Sequence, residues 1–171
     1  MKKYLALFRG INVGGNNILP MGELRSLLEE HSYKKVQTYI QSGNVVFDSE
    51  ERPENVASLV LDRFGFEPRV LVMEKTEFLD SLAGNPYTAT KGNQIHFYFC
   101  QDLPNANVEK LDMLKAESEH YMIKDKVLYL YAPDGIGRSK LAAGMERYLG
   151  VAATGRNLNT INKLAKMLED G

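Results

Sequence analysis

The first 74 residues alternate short apolar stretches whose repeat switches between two and nearly four, and the order of those stretches restricts the fold more than any other feature. Residues 4–11 form a nearly continuous apolar strand, followed by a polar loop over residues 12–19. Pro20 suits the first turn of a helix, and Met21, Leu24, Leu27 and Leu28 then recur at helical spacing. Val36, Thr38 and Ile40 alternate with Gln37, Tyr39 and Gln41, the pattern of a half-buried strand. Ser42-Gly43-Asn44 is turn chemistry and Val45-Val46-Phe47 runs back, which predicts a hairpin. A helix from about Pro53 turns Val56, Leu59, Val60 and Phe64 inward and stops at Gly65, and residues 69–73 form the next strand. The order β-α-β-β-α-β predicts a ferredoxin-like unit.

A connecting helix over residues 76–82 ends at Gly84-Asn85-Pro86, and the order then starts again. Ile95, Phe97 and Phe99 mark a strand face, Val108, Leu111 and Leu114 a helix stripe, and residues 121–123 and 127–131 a second hairpin around Asp125-Lys126. Leu141, Ala142, Met145, Tyr148 and Leu149 line one side of a helix beginning near Ser139. Thr154-Gly155-Arg156-Asn157 reads as a loop in place of a fourth strand, and Ile161, Leu164, Ala165 and Leu168 mark a last helix. The expected fold is α+β: two ferredoxin-like β-α-β-β-α units in tandem structural duplication, joined by a short helix and followed by an extra C-terminal helix. The expected boundaries are an N-terminal subdomain over 1–74, a connector over 75–91 and a C-terminal subdomain over 92–171.

Composition bounds the rest. With 171 residues, 44% apolar, the chain is long enough for one core or two small fused ones. A single cysteine, Cys100, excludes an internal disulfide framework and a multi-thiolate metal site, and suits a reducing compartment. The longest apolar runs, residues 4–8 and 127–132, are far short of the roughly 20 residues of a membrane helix. Arg9 also cuts the first run below the length of a secretory signal, so the expected location is cytoplasmic, without a membrane partner. A net charge of -1 conceals a gradient: residues 1–74 and 75–134 carry -1 and -3, and residues 135–171 carry +3. That last segment is basic enough to attract an anion, the alternative being solvated helix faces.

Four polar strings stand at the ends of elements, where binding groups concentrate. Three are Arg9-Gly10-Ile11-Asn12-Val13-Gly14-Gly15-Asn16-Asn17, Tyr39-Ile40-Gln41-Ser42-Gly43-Asn44 and Gly135-Ile136-Gly137-Arg138-Ser139-Lys140; the fourth runs from Thr154 through Arg156, Asn157 and Asn159 to Thr160. The strings Leu7-Phe8-Arg9-Gly10-Ile11-Asn12-Val13-Gly14-Gly15, residues 39–47, Gly137-Arg138-Ser139-Lys140-Leu141 and Arg156-Asn157 with Asn159-Thr160 and Lys163-Leu164 resemble, in the same order, the signatures of the bacterial domain of unknown function 1697 family. The resemblance spans essentially the whole chain. It implies a small cytoplasmic α+β protein with two related subdomains, and it brings no established activity and no catalytic residues. The chain departs from the family pattern in having Thr154-Gly155-Arg156-Asn157 where Thr-Thr-Arg-Asn is expected, and Leu158 where tryptophan is usual, which removes an aromatic stacking surface.

Physically, Ser139 can cap the helix behind it, and Arg138 and Lys140 add charge to the open amides of its first turn, a setting for phosphate or carboxylate. Arg156 and a capping Asn159 repeat that logic at the last helix. The alternative for both strings is capping and local salt bridges. The glycines at 10, 14 and 15 match neither the dinucleotide fingerprint nor the P-loop. Tyr39 and Gln41 line either a groove or a solvated face. His31, His96 and His120 lie in separate elements with no metal-ligand spacing, so no metal and no cofactor is expected. His96 shares a strand face with Tyr98 and Cys100, either a groove or the second side of a core.

The expected function is binding of a small anionic ligand, phosphorylated or nucleotide-like, in a cleft between two subdomains. Arg9, Arg138, Lys140 and Arg156 would hold charge, with Asn12, Gln41, Asn44, Ser139 and Asn157 completing the site. One alternative is a transferase or hydrolase acting on a phosphorylated substrate, with His96 or Tyr98 supplying a proton. A non-catalytic RNA-binding or scaffold protein is another, although the aromatic-glycine pattern of the RNP1 motif is absent.

Overall fold

The computed structural model describes residues Met1–Gly171. The fold is mixed α+β, with two four-stranded antiparallel sheets and seven helices. The chain forms two compact units, Met1–Asp80 with Lys163–Gly171, and Ser81–Asn162. The sequence places the boundary near residue 74 and keeps residues 163–171 with the second subdomain; in the structure those residues group with the first unit.

In the first unit the order is β1 (Lys2–Arg9), α1 (Met21–Glu30), β2 (Lys34–Tyr39), β3 (Asn44–Ser49), α2 (Val56–Phe64) and β4 (Arg69–Glu74), with α3 (Lys75–Ala83) following. The strands lie in the order β2-β3-β1-β4. Side chains alternate across the sheet. One face, with Tyr4, Ala6, Phe8, Val45 and Phe47, packs on Leu24, Leu27 and Leu28 of α1 and Val56 and Val60 of α2. Leu5, Leu7, Val46 and Met73 are buried on the other face. Ile40 departs from the expected alternation: it takes a left-handed φ of 50°, ends β2 one residue early and is 49% exposed.

The second unit contains β5 (Ile95–Cys100), α4 (Val108–Leu114), β6 (His120–Lys124), β7 (Val127–Tyr131), α5 (Lys140–Ala143), α6 (Met145–Leu149) and β8 (Ala153–Asn157), and α7 (Leu158–Asp170) follows. Its strands lie in the order β6-β7-β5-β8, so each sheet places its four strands in the same sequence-relative order. The loop expected at Thr154-Gly155-Arg156-Asn157 is therefore a strand. It pairs antiparallel with β5 from His96 opposite Asn157 to Cys100 opposite Ala153, because the neighbouring strand supplies a ladder that glycine and asparagine do not advertise locally. The single helix expected after Ser139 is two short ones broken at Gly144, where a Cβ would stand 2.9 Å from Leu114 Cδ1. No helix is long and apolar enough to cross a membrane.

Candidate functional site

The two polar strings of the first unit meet. After Arg9 the chain turns through left-handed residues at Gly10, Asn12, Gly14, Gly15 and Asn17, conformations that favour glycine and asparagine. Asn12 fastens this loop. Its Nδ2 donates to Leu19 O at 2.9 Å and to Gln41 O at 2.9 Å, and its Oδ1 accepts from Leu19 N at 2.7 Å. Asn44 is fully buried, and its Nδ2 donates to Tyr39 O at 2.9 Å and Ser42 Oγ at 3.3 Å. Asn12, Gln41 and Asn44 are thus engaged in building two loops into one end of the sheet.

Charge gathers on the face of that end remote from α1 and α2. The register sets Leu7 opposite Asn44 and Asn44 opposite Tyr39, and it sets Arg9 directly opposite Arg69. Arg9 follows Leu7 by two residues and shares its face. Lys163 of α7 holds its ammonium 5.9 Å from the centre of the Tyr39 ring, a cation–π contact. Three cations and a phenol therefore stand on one side of one sheet end.

The second unit uses its polar string residues differently. Ser139 Oγ accepts from Ala142 N at 3.0 Å and caps α5, which has only four residues, so the charged helix start expected there is one turn deep. Arg138 and Lys140 are exposed beside it. The last helix is capped by Asn157, whose Oδ1 accepts from Thr160 N at 3.0 Å, and not by the expected Asn159. Arg156 and Asn157 are neighbours in β8 and belong to opposite faces, the first level with Phe97 and the second with His96. Burial pushes the Arg156 guanidinium down to about 10, which leaves it charged at neutral pH. Its Nη1 donates to Gly155 O at 2.9 Å. Glycine at 155 lies close against its cross-strand partner, since a Cβ there would stand 3.0 Å from the Tyr98 ring.

The candidate proton donors His96 and Tyr98 share a strand face with Cys100 that lies in a core. Tyr98 and Cys100 pack with Leu111, Leu128, Leu141, Met145 and Leu149, which makes their strand face the second side of a core. His96 is buried on the same face, its Nδ1 without a hydrogen-bond partner, and desolvation lowers its pKa. Burial, with a smaller contribution from Glu119, pushes Tyr98 up to about 12, and burial pushes the Cys100 thiol up to about 11. Neither is ionised at neutral pH. His31 Nδ1 lies 2.9 Å from Leu27 O, and His120 stacks on Tyr131 with ring centres 6.2 Å apart. No group of three or more His, Cys, Asp or Glu side chains is placed to hold a metal ion.

The profile of the family described as "Protein of unknown function (DUF1697)" matches residues 1–129. The chain belongs to this family. Among solved structures it is similar to conserved bacterial protein SP0830 from Streptococcus pneumoniae, with 24% identity, a TM-score of 0.70 and 98% of each chain covered, a likeness of fold. No curated protein matches the chain.

In this DUF1697 chain the residues that sequence reasoning missed are Arg69 and Lys163. Arg69 opens a strand 60 residues after Arg9 in the chain and meets it only through the β1–β4 register. Lys163 is one of several lysines on a helix with an apolar stripe, and its place over Tyr39 follows from where that helix returns. Arg9 was legible because a charge terminates an otherwise apolar strand.

Proposed function

We propose that this DUF1697 chain is a binding protein, built from two ferredoxin-like units related by duplication, that takes a phosphorylated or nucleotide-like anion at the Arg9–Arg69–Lys163 end of the first sheet. The shared strand order of the two sheets supports the duplication. The observation that carries the ligand reading is the direct cross-strand opposition of Arg9 and Arg69 on the face that also bears Tyr39 and Lys163. Two guanidinium groups fork onto phosphate oxygens, Lys163 adds a third charge, and the Tyr39 ring offers a flat surface to a base or sugar. Asn12, Gln41 and Asn44 hold the loops that frame this end, while Ser139 and Asn157 serve as helix caps. Arg138, Lys140 and Arg156 add positive charge in the second unit. Binding without turnover is favoured over phosphoryl chemistry because Tyr98 and Cys100 are held protonated in a core and His96 is buried beside them.

The test is thermal unfolding in the presence of inorganic phosphate, pyrophosphate and a nucleoside triphosphate. A ligand at one hundred times its Kd stabilises by about 2.7 kcal/mol, a readily measured rise in Tm. The Arg69→Ala, Lys163→Ala double variant, altered at two exposed side chains, loses that rise when its Tm with each ligand is compared with its own ligand-free Tm. A wild-type protein that none of the three stabilises, or a double variant that responds like wild type, removes this reading.

A further inference from the structure

Two loops at one end of the first sheet present aliphatic side chains to solvent, and both lack charge. In a chain that is 25% charged, residues 10–22 and 36–47 contain no acid and no base. We propose that these loops form a peripheral docking surface for an anionic lipid bilayer, with Val13, Ile18 and Ile40 entering the membrane interface and the cations of the same sheet end meeting phosphate headgroups. The proposal goes beyond the anion reading and needs no soluble ligand.

Asn12 gathers the aliphatic residues. Val13 follows it in the chain; Leu19, whose N and O both bond the Asn12 side chain, follows Ile18; and Gln41, whose O accepts from Asn12 Nδ2 at 2.9 Å, follows Ile40. Each aliphatic residue is thus next to a group fastened at one point. Val13 is 67% exposed, Ile18 55% and Ile40 49%. Singly such side chains are ordinary on a protein surface, but gathered on two joined loops they mark a binding surface.

The backbone fixes them in the open. Asn16 N donates to Val13 O at 3.0 Å and Asn12 N donates to Asn17 O at 3.1 Å, around Gly14 and Gly15 with φ of 59° and 76°. This is a two-residue hairpin turn of the type that needs positive φ at both centres, and residues 13–18 are all exposed. Ile40 takes a φ of 50°, a costly conformation for a β-branched residue and one that glycine or asparagine would adopt more readily. The strain holds an exposed isoleucine in a turn where a polar residue would be relaxed, as strained backbone does at functional positions.

Charge selects the occupant. Arg9, Arg69 and Lys163 stand at this sheet end, and Lys163 lies over the ring of Tyr39, the residue before Ile40. The adjoining segments bring the acids Glu23, in the first turn of α1, and Glu67, two residues before Arg69. A positive excess beside uncharged aliphatic loops is the complement of phosphate headgroups above hydrocarbon, where buried apolar area and attraction to anionic lipid add. The expectation of no membrane partner rested on the lengths of apolar runs, which bear on crossing a bilayer and not on resting at its surface.

The experiment is co-sedimentation of the full chain with vesicles of equal parts phosphatidylcholine and phosphatidylglycerol, with phosphatidylcholine vesicles as the comparison. The protein is expected to bind the mixed vesicles, to bind the neutral ones at least about tenfold more weakly, and to release as salt is raised. A Val13→Ser, Ile40→Asn double variant loses at least about tenfold in affinity while its Tm is no lower than that of wild type, because asparagine relieves the strain at position 40. The chain has no tryptophan, so Ile18→Trp supplies a single reporter whose emission is expected to shift to the blue with the mixed vesicles. Wild-type protein that ignores the mixed vesicles at low salt overturns the proposal, and so sends the patch to a protein partner. It is equally overturned by a folded double variant that binds them like wild type, or by an Ile18→Trp emission that does not move when the protein binds.

Discussion

Gly43 sits where two requirements exclude every other residue. Its φ is 94°, and a Cβ would stand 2.6 Å from both Ile11 Cδ1 and Phe8 Cβ. The turn between β2 and β3 is thus pressed against the end of β1, where Phe8 N donates to Gly43 O at 2.8 Å. Gly43→Ala adds a strained backbone to an overpacked contact and is expected to cost about 2 kcal/mol or more in chemical denaturation. His96 makes the second prediction at this scale. Burial lowers its pKa, so the folded protein holds the neutral ring and the unfolded chain takes up the proton more readily. Stability from this group is complete above the unfolded value of about 6.5 and is lost as pH falls below it, with a slope of up to about 1.4 kcal/mol per pH unit. His96→Phe removes that slope between pH 7 and 5. Denaturation midpoints that fall equally in both proteins over this window would show that His96 is not the titrating group. Cys100, 3% exposed and with its thiol pushed up to about 11, is expected to react with a thiol reagent only on unfolding, at a rate set by the concentration of denaturant.

At the scale of elements, β8 is where local sequence and tertiary context disagree. Gln101 N donates to Ala152 O at 2.9 Å, and continuing that phase pairs the amides of Thr154 and Arg156 with β5. Both are expected to exchange slowly in deuterium oxide, by contrast with the freely exchanging amides of a loop; rapid exchange at both would remove the strand. The sequence-level reading missed β8 because Thr154-Gly155-Arg156-Asn157 has the residues of a turn, and the strand that orders it lies more than 50 positions earlier. The break at Gly144 was missed for a related reason. The stripe of Leu141, Met145 and Leu149 continues through it, and only the packing of Leu114 and Tyr148 against the glycine marks the interruption. The strands of the first unit were legible because their apolar alternation coincides with burial on one face, as in Val45 and Phe47. The candidate site was legible in half. Arg9, Asn12, Gln41 and Asn44 stand in strings too polar for strand ends, but that Asn12 ties Gln41 and that Arg9 faces Arg69 are consequences of register.

For the whole molecule, the order of the chain and the order of the units differ. The first unit is discontinuous: residues 1–80 are completed by residues 163–171, after the second unit has intervened. The returning segment has a definite path. Lys163 lies over Tyr39, and a Cβ at Gly171 would stand 2.6 Å from Lys3 Nζ, so this half of α7 runs from the Tyr39 end of the first sheet to its Lys3 end. Tyr39 and Lys3 belong to the face away from α1, the face that also carries Leu5, Leu7 and Val46. Leu164 and Leu168 are fully buried along that path. A strand face of this composition without its helix would expose a large apolar surface, so the N-terminal sheet reaches its full stability only when the last residues are in place. Leu168→Ala is expected to cost about 2–5 kcal/mol, the range for truncating a fully buried leucine. The loss should appear as faster exchange of the amides of β1 and β3, more than 110 positions away in sequence. Unchanged protection of those strands in the variant would mean that the first sheet is stable without the returning helix, and that Lys163 reaches Tyr39 as a passenger rather than as part of the unit's core.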